Sequence, residues 1–167
     1  MIKFKDKQSI RKSQPMIIRK AKVTEAKRIK EIIDIHAQRG MMLSRSLDDI
    51  YASVRDFTVC EIDHRVVGVS ALTVFTEELA EIRSLAVEDT YHHRNIGAHL
   101  VEHCVTEAIE YNISYIFTLT YIPQYFKKLH FRPISKDQLP HKIWRDCMGC
   151  EHFYHCDEEA LIYEVRI

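Results

Sequence analysis

The sequence lacks several features that would place it outside ordinary globular domains. It contains no run of about 18 apolar residues, so no segment is long enough to span a bilayer. Only four glycines and four prolines occur, which excludes collagen-like and low-complexity chains. A surplus of one charge is also missing, because 24 Lys and Arg face 24 Asp and Glu. We therefore expect no nucleic-acid and no membrane partner, since both need a large cationic surplus.

We also expect no export signal, because the Lys-rich start of the sequence has no apolar core. The five cysteines, an odd number, are therefore interpreted as reduced thiols in a cytoplasmic protein. A length of 167 residues predicts one domain. We expect residues 1–15 to form a flexible basic tail and residues 16–167 to form that domain.

The hydrophobic pattern predicts two helices before the first long strands. Apolar residues recur at helical spacing from Ala26 to Ala37, where Thr24 is the predicted cap. Ser46 with an acidic residue three positions later predicts a second capped helix, and its buried stripe is expected to include Tyr51.

The remaining elements predict a mixed sheet. The expected strands are Phe57 to Ile62, Val66 to Phe75, Leu79 to Val87, Tyr115 to Thr120 and Ala160 to Val165. A helix is expected from near Asn95 to a left-handed end at Asn112, and a short one from Pro123 to Leu129. This order predicts an α+β fold, a single domain whose mostly antiparallel central sheet is flanked by helices.

The segment from Glu81 to Leu100 carries the clearest functional signal. A strand runs into a polar turn, and the turn runs into the helix near Asn95. Free N–H groups and the positive end of the helix dipole attract phosphate at such a junction. Arg94 adds a charge, and Gly97 lets a ligand approach the backbone closely. The pattern indicates a site for a phosphorylated cofactor.

The same segment resembles the GNAT superfamily of acetyl-CoA-dependent N-acetyltransferases. The superfamily pattern Gln/Arg-x-x-Gly-x-Gly/Ala is similar to residues 92–97, His-His-Arg-Asn-Ile-Gly. Residues 125–131, Tyr-Phe-Lys-Lys-Leu-His-Phe, resemble its FYEKLGF segment. The resemblance implies acetyl-CoA as co-substrate. It also implies that two segments bind this cofactor, and their residues are Leu85, Ala86, Val87, His92, His93, Arg94, Asn95, Ile96, Gly97 and Ala98.

Three residues depart from the superfamily pattern. His92 stands where Gln or Arg is usual, Asn95 replaces the first Gly, and Phe126 replaces a frequent Tyr. Asn tolerates a left-handed backbone, but its side chain can also cap the helix and compete with phosphate for the N–H groups. These departures favour an alternative hypothesis, a catalytically lapsed acyl-CoA sensor or partner-binding domain.

The spacing of Glu81 and Arg83 places both side chains on one face of a strand. If that face lines the cleft, Arg83 can hold a substrate carboxylate and Glu81 can take the proton of the attacking ammonium. The structural alternative is an ion pair on a solvated face. The resemblance implies that Leu85–Val87 also supply the oxyanion donor, a backbone N–H exposed where the strand splays.

Protonation of the departing thiolate has three candidate donors, Tyr121, Tyr125 and water. Each tyrosine taken singly is also consistent with a half-buried core aromatic. Arg45 is a candidate for the acceptor pocket, and Lys142 and Arg145 are further cationic candidates.

A cysteine-rich loop provides the main competing signal. Cys147, Cys150 and Cys156 have the spacing of an incomplete zinc site, with His141, His152 or His155 as a fourth ligand. Reduced, packed thiols are the preferred interpretation, so the metal stays unassigned. Cys60 and Cys104 are predicted to lie in the core.

Within the superfamily, the chain resembles short amino-acid N-acetyltransferases of the N-acetylglutamate synthase type. The residues that carry this likeness are the stretches 81–87, 139–147 and 156–160. The resemblance implies acetylation of the amine of a small amino acid by direct attack in a ternary complex. Glutamate is the first candidate acceptor, with a role in arginine biosynthesis, and a homodimer is the family expectation.

Overall fold

The protein is described by a computed structural model that covers residues 15–140, 147–148, 150 and 156–166. Seven strands form one sheet in the order β1-β2-β3-β4-β5-β7-β6. The strands are β1 Ile17–Lys20, β2 Phe57–Ile62, β3 Arg65–Val74, β4 Leu79–Val87, β5 Tyr115–Thr120, β6 Arg132–Pro133 and β7 Glu159–Glu164. The helices are α1 Ala26–Gln38, α2 Leu47–Ala52, α3 Ile96–Glu110 and α4 Pro123–Lys128. All strand pairs are antiparallel except β4 with β5.

Helices cover both faces of the sheet. The apolar side of α3 packs with α4 against one face, whereas α1 and α2 pack against the other. Neighbouring residues of β3 show the division, because Leu72 belongs to the cluster with α3 and Ala71 to the cluster with α1. Alternation along a strand sends successive side chains to opposite faces. The predicted α+β fold with a mostly antiparallel sheet is confirmed.

Some local predictions are wrong. Thr24 does not cap α1; it lies in a 3₁₀ turn, Val23–Glu25, in which the Glu25 carboxylate accepts a hydrogen bond from the Lys22 N–H at 2.8 Å. The side chain of Tyr51 is 41% exposed, so it does not belong to the buried stripe of α2. The two-residue strand β6 was not predicted, since two residues carry no periodicity.

The turn between β2 and β3 forms without glycine. Asp63 and His64 both have left-handed backbones, with φ of 53° and 59°. Two successive left-handed residues match the twist of a tight hairpin, and Asp and His tolerate this conformation better than most residues. The predicted hairpin is confirmed.

Two cysteines lie in the core, as predicted. Cys60 and Cys104 are fully buried, and burial raises the pKa of each thiol to about 11. In the described part of the chain, we find no helix of the length and apolarity needed to cross a membrane. The predicted basic tail lies outside the described residues, except for Pro15.

Candidate active site

A cleft opens in the sheet where β4 and β5 separate. These parallel strands pair at three positions, of which the last is Glu81 with Phe117. Beyond this point both strands continue, but no further pairing between them occurs in the described part of the chain. We call the point where the two strands separate the fork. At the fork, the Thr118 hydroxyl of β5 donates a hydrogen bond to the Ile82 carbonyl of β4 at 3.0 Å. The splay that the resemblance implied is present in the structure.

A β-bulge in β4 adjusts the strand at this cleft. Arg83 pairs with Ala71 and Ala86 with Val69, so β4 carries one residue more than β3 in between. Ser84 lies in this bulge, and its left-handed φ of 55° lets β4 accommodate the extra residue. The bulge keeps Leu85 on the side of α3 and leaves Arg83 on the opposite side.

Glu81 and Arg83 share one face of β4, as predicted. The Arg83 Nε lies 3.5 Å from the Glu81 Oε2, and only 7% of Glu81 is exposed. The face is therefore not solvated at the carboxylate, which argues against a plain surface ion pair. A carboxylate that is this buried needs charged or hydrogen-bonding neighbours to stay ionised.

Arg45 reaches the same region from the loop between α1 and α2. Its Nη2 donates to the Ser53 hydroxyl at 3.0 Å, and its guanidinium lies 5.2 Å from the centre of the Phe57 ring. Burial is the main cause that lowers the pKa of Arg45, and the nearby positive charge of Arg83 lowers it further. The buried Nη1 has no hydrogen-bond partner among the described residues. Within the described part of the chain, Arg45 thus has a buried donor without an acceptor, and it interacts electrostatically with Arg83 and Glu81.

The cleft is open, and the atom-free space in and above it is about 420 Å³, a figure that includes solvent outside the cleft. Its lining includes Met41, Met42, Arg83, Tyr121, Ile122 and Glu158. These residues come from four separate segments of the chain. Burial raises the pKa of the Tyr121 phenol, and the neighbouring Glu158 carboxylate raises it further. Tyr121 thus stays protonated at neutral pH.

The predicted phosphate-binding turn lies at the start of α3. Asn95 has a left-handed φ of 56° and precedes the first helical residue, Ile96. The first backbone bond of the helix runs from the His99 N–H to the Asn95 carbonyl, so the N–H groups of residues 96–98 come before it. The Asn95 side chain makes no capping hydrogen bond to any described residue. The structure thus shows no capping by this side chain at the N–H groups for which it could compete with phosphate.

The exposed side chains of this turn differ in their contacts. The Arg94 guanidinium lies 5.4 Å from the centre of the Tyr91 ring, and His93 has a left-handed backbone with φ of 71°. His92 Nε2 lies 3.1 Å from the Val87 carbonyl oxygen. Ile96, in contrast, is a core residue, so it can contribute to cofactor binding only through its backbone.

Sequence reasoning missed His36 of α1. This residue is buried, and its Nε2 lies 2.9 Å from the same Val87 carbonyl oxygen. Its position three residues after Ile33 continues the buried stripe of α1, and that spacing was the signal that could have found it.

Tyr125 lies against Gly97, the residue predicted to let a ligand approach the backbone closely. A Cβ on Gly97 would lie 2.2 Å from the Tyr125 hydroxyl oxygen, so the absent side chain makes room for this tyrosine and not only for a ligand. Burial raises the pKa of Tyr125. The structure therefore separates the two candidate acids: Tyr125 lies against the start of α3, whereas Tyr121 lines the cleft. Phe126, between them, is a core residue that contacts Phe131 edge-on.

Two described cysteines of the cysteine-rich segment, Cys150 and Cys156, interact electrostatically with Tyr121 of the cleft. Burial raises the pKa of the Cys147 thiol, and the neighbouring Cys156 and Glu158 raise it further. The Cys156 thiol donates to the Glu158 carboxylate at 3.8 Å. His141, Lys142, Arg145, His152 and His155 lie outside the described residues. The zinc hypothesis for this loop therefore stays a prediction.

Comparison with known proteins agrees with the likeness seen in the sequence. Residues 30–131 match the model of the acetyltransferase (GNAT) family. An uncharacterized N-acetyltransferase of Chlorobaculum tepidum is 37% identical over 87% of this chain and 94% of its own length. The amino-acid acetyltransferase of Mycobacterium tuberculosis is 29% identical over 71% of this chain and 70% of its own length.

A solved structure shares the fold. The N-acetylglutamate synthase of Neisseria gonorrhoeae, solved with coenzyme A and N-acetyl-glutamate, superposes with a TM-score of 0.85 at 24% identity. The match covers 93% of this chain and 36% of the synthase chain, so the likeness concerns one part of a longer protein. Together, the family match and the identity to the Chlorobaculum tepidum protein show that the chain belongs to the acetyltransferase (GNAT) family and is an N-acetyltransferase.

Proposed function

We propose that the protein transfers the acetyl group of acetyl-CoA to the α-amine of a small amino acid. The observation that carries this proposal is the charge arrangement at the fork of β4 and β5. The buried carboxylate of Glu81 lies beside Arg83, and Arg45 offers a buried donor that no described residue accepts. Arginines bind carboxylates through paired hydrogen bonds, so an acceptor that carries a carboxylate fits this end of the cleft.

The cofactor occupies the other end in this proposal. The pantetheine arm lies along the unpaired edge of Leu85–Val87, and the pyrophosphate lies on the N–H groups at the start of α3. The left-handed Asn95 supports this placement, because it turns the chain into the helix without covering those groups. Arg94 supplies an exposed positive charge at the same turn.

The chemistry then follows in one ternary complex. Glu81 takes a proton from the ammonium group, and the free amine attacks the thioester carbonyl carbon. A backbone N–H of Leu85–Val87 stabilises the oxyanion. The nitrogen, which is positively charged after the attack, releases its second proton to solvent. The carbon–sulfur bond breaks, and the thiolate leaves as CoA after it takes a proton from Tyr121 or from water. Tyr121 is the better placed of the two tyrosines because it lines the cleft.

Glutamate is the acceptor that we propose first. Its second carboxylate gives each of the two arginines an anionic group to bind, whereas an amino acid with a neutral side chain supplies only one. The names of the relatives, amino-acid acetyltransferase and N-acetylglutamate synthase, are consistent with this choice. If glutamate is the acceptor, the reaction belongs to arginine biosynthesis.

The test follows CoA thiol release from acetyl-CoA with a panel of free amino acids that includes glutamate, glutamine and aspartate. We expect turnover that requires an amine and is fastest with glutamate. Turnover with a different amino acid would support the proposed acetyl transfer but contradict glutamate as the acceptor. CoA binding without turnover on any acceptor would contradict the proposal and favour the lapsed sensor.

A further inference from the structure

Two histidines and an aspartate lie close together near the end of β4, next to the predicted cofactor turn. His36 of α1 and His92 of the turn approach one atom, the Val87 carbonyl oxygen, at 2.9 and 3.1 Å from their Nε2 atoms. Their rings are nearly parallel, with an interplanar angle of 17° and centres 6.4 Å apart. The pair therefore presents two nitrogen atoms to the same small volume.

Asp89 completes this arrangement. Its Oδ1 lies 3.8 Å from the His92 Nε2, and one ligating atom from each of the three residues lies within 4.8 Å of the others. Within the residues that the structure describes, no other set of three His, Cys, Asp or Glu side chains meets this spacing. His36 is buried, whereas Asp89 and His92 are about half exposed and can adjust their positions.

We propose that His36, Asp89 and His92 form a binding site for a divalent transition metal ion, with Zn²⁺ as the best match. Two imidazole nitrogens and one carboxylate oxygen are a common donor set for zinc, at bond lengths of about 2.0–2.2 Å. Binding needs imidazole nitrogens that carry no proton, so the metal replaces the hydrogen bonds from these rings to Val87. Water reaches the open side of the site and supplies the remaining ligand.

Arg39 competes with the metal for Asp89. Its Nη1 and Nη2 donate to the two carboxylate oxygens at 3.0 and 2.8 Å. A bound metal shares Asp89 with this guanidinium or displaces it. The positive charge of Arg39 therefore lowers the affinity of the site for a cation. Removal of Arg39 should strengthen metal binding, whereas removal of Asp89 or His92 should weaken it.

The experiment titrates Zn²⁺ into the full chain against a chromophoric chelator, without acetyl-CoA. Because thiols also bind zinc, Cys147, Cys150 and Cys156 are replaced by serine in every protein tested. We expect one zinc ion per chain, and an affinity that falls at least about tenfold in Asp89→Asn and in His92→Gln. The control His64→Gln removes an exposed histidine of the β2–β3 turn and should leave the affinity unchanged.

The opposite arm uses Arg39→Gln, for which we expect tighter zinc binding, because Asp89 loses its competing partner. Unchanged affinity in Asp89→Asn and His92→Gln, or absence of bound zinc, would overturn the proposal. Asp89, His92 and Arg39 are all exposed, so their substitution should preserve the fold, and thermal unfolding of each variant checks this. No acetyl transfer is measured, so failure here leaves the proposed function intact.

Discussion

The two ends of the cleft are built in different ways. The predicted cofactor end comes from one continuous stretch, residues 85–98, and relies mainly on backbone groups at the end of β4 and the start of α3. The proposed acceptor end relies on side chains from separate segments: Tyr121 and Arg83 line the cleft, and Arg45 interacts electrostatically with Arg83 and Glu81. Backbone groups persist through side-chain substitution, whereas a charged side chain does not.

This difference bears on one departure from the family pattern, Asn95. Asn95 replaces a glycine, yet it adopts the left-handed backbone that the turn requires. The N–H groups that follow it therefore keep their direction. At the acceptor end, by contrast, the chemistry depends on the identity and charge of each residue. Substitutions should therefore affect the two ends through different kinetic parameters.

The largest effect is expected for Glu81→Gln. If Glu81 is the base, the variant should lose about 10²- to 10⁴-fold in kcat, because the amide cannot accept the ammonium proton. Steady-state CoA release measures kcat, and calorimetric titration should give unchanged acetyl-CoA affinity. Glu77→Gln on the exposed β3–β4 turn is the matched control. A Glu81→Gln variant with wild-type kcat would contradict the role of Glu81 as the base and the proposed difference between the two ends of the cleft.

A smaller effect should separate the arginines of the two ends. Arg83→Ala and Arg45→Ala should raise KM for the acceptor roughly tenfold to a hundredfold, because each removes a charged hydrogen-bond donor from a partly buried site. Arg94→Ala should instead raise KM for acetyl-CoA, and by less, because Arg94 is exposed.

The conservative variant Arg83→Lys tests the geometry of the contact. Lysine keeps the charge but not the paired donors, so recovery should be partial. The comparison between the ends would fail if Arg83→Ala raised KM for acetyl-CoA more than KM for the acceptor.

The smallest effect is expected for Gly97→Ala. The new methyl group would lie 2.2 Å from the Tyr125 hydroxyl oxygen and 3.1 Å from its ring carbon Cζ, so the ring must move. We expect a loss of roughly 1–3 kcal/mol in the free energy of unfolding, measured by denaturant titration. The double variant Gly97→Ala/Tyr125→Phe should recover part of this loss. Equal stability of the single and double variants would mean that the contact between the new methyl group and the Tyr125 hydroxyl does not cause the loss of stability.

Elements with strong local signals were predictable from the sequence. The bounds of β4 and β5 agree with the predicted strands, and Ser46 caps α2 by accepting a hydrogen bond from the Asp49 N–H at 3.1 Å. These signals act within a few residues, where pattern and capping chemistry are strongest. Thr24 shows the limit of such reasoning, because it lies inside the 3₁₀ turn Val23–Glu25, which runs directly into α1.

The candidate site was predictable only in part. The shared face of Glu81 and Arg83 follows from strand alternation, which a sequence displays directly. The contact of Tyr125 with Gly97 and the approach of His36 to Val87 join residues that are far apart in the chain, so local patterns carry no record of them.

From its sequence alone, the chain specifies its elements, its core pattern and the turn that leads into α3, because each depends on interactions between near neighbours. The tertiary structure decided how β4 separates from β5, where the bulge at Ser84 falls and which charges meet at the fork. The physical reason is that these features arise from packing between distant segments. Burial and long-range contacts, which form only in the folded chain, set their geometry.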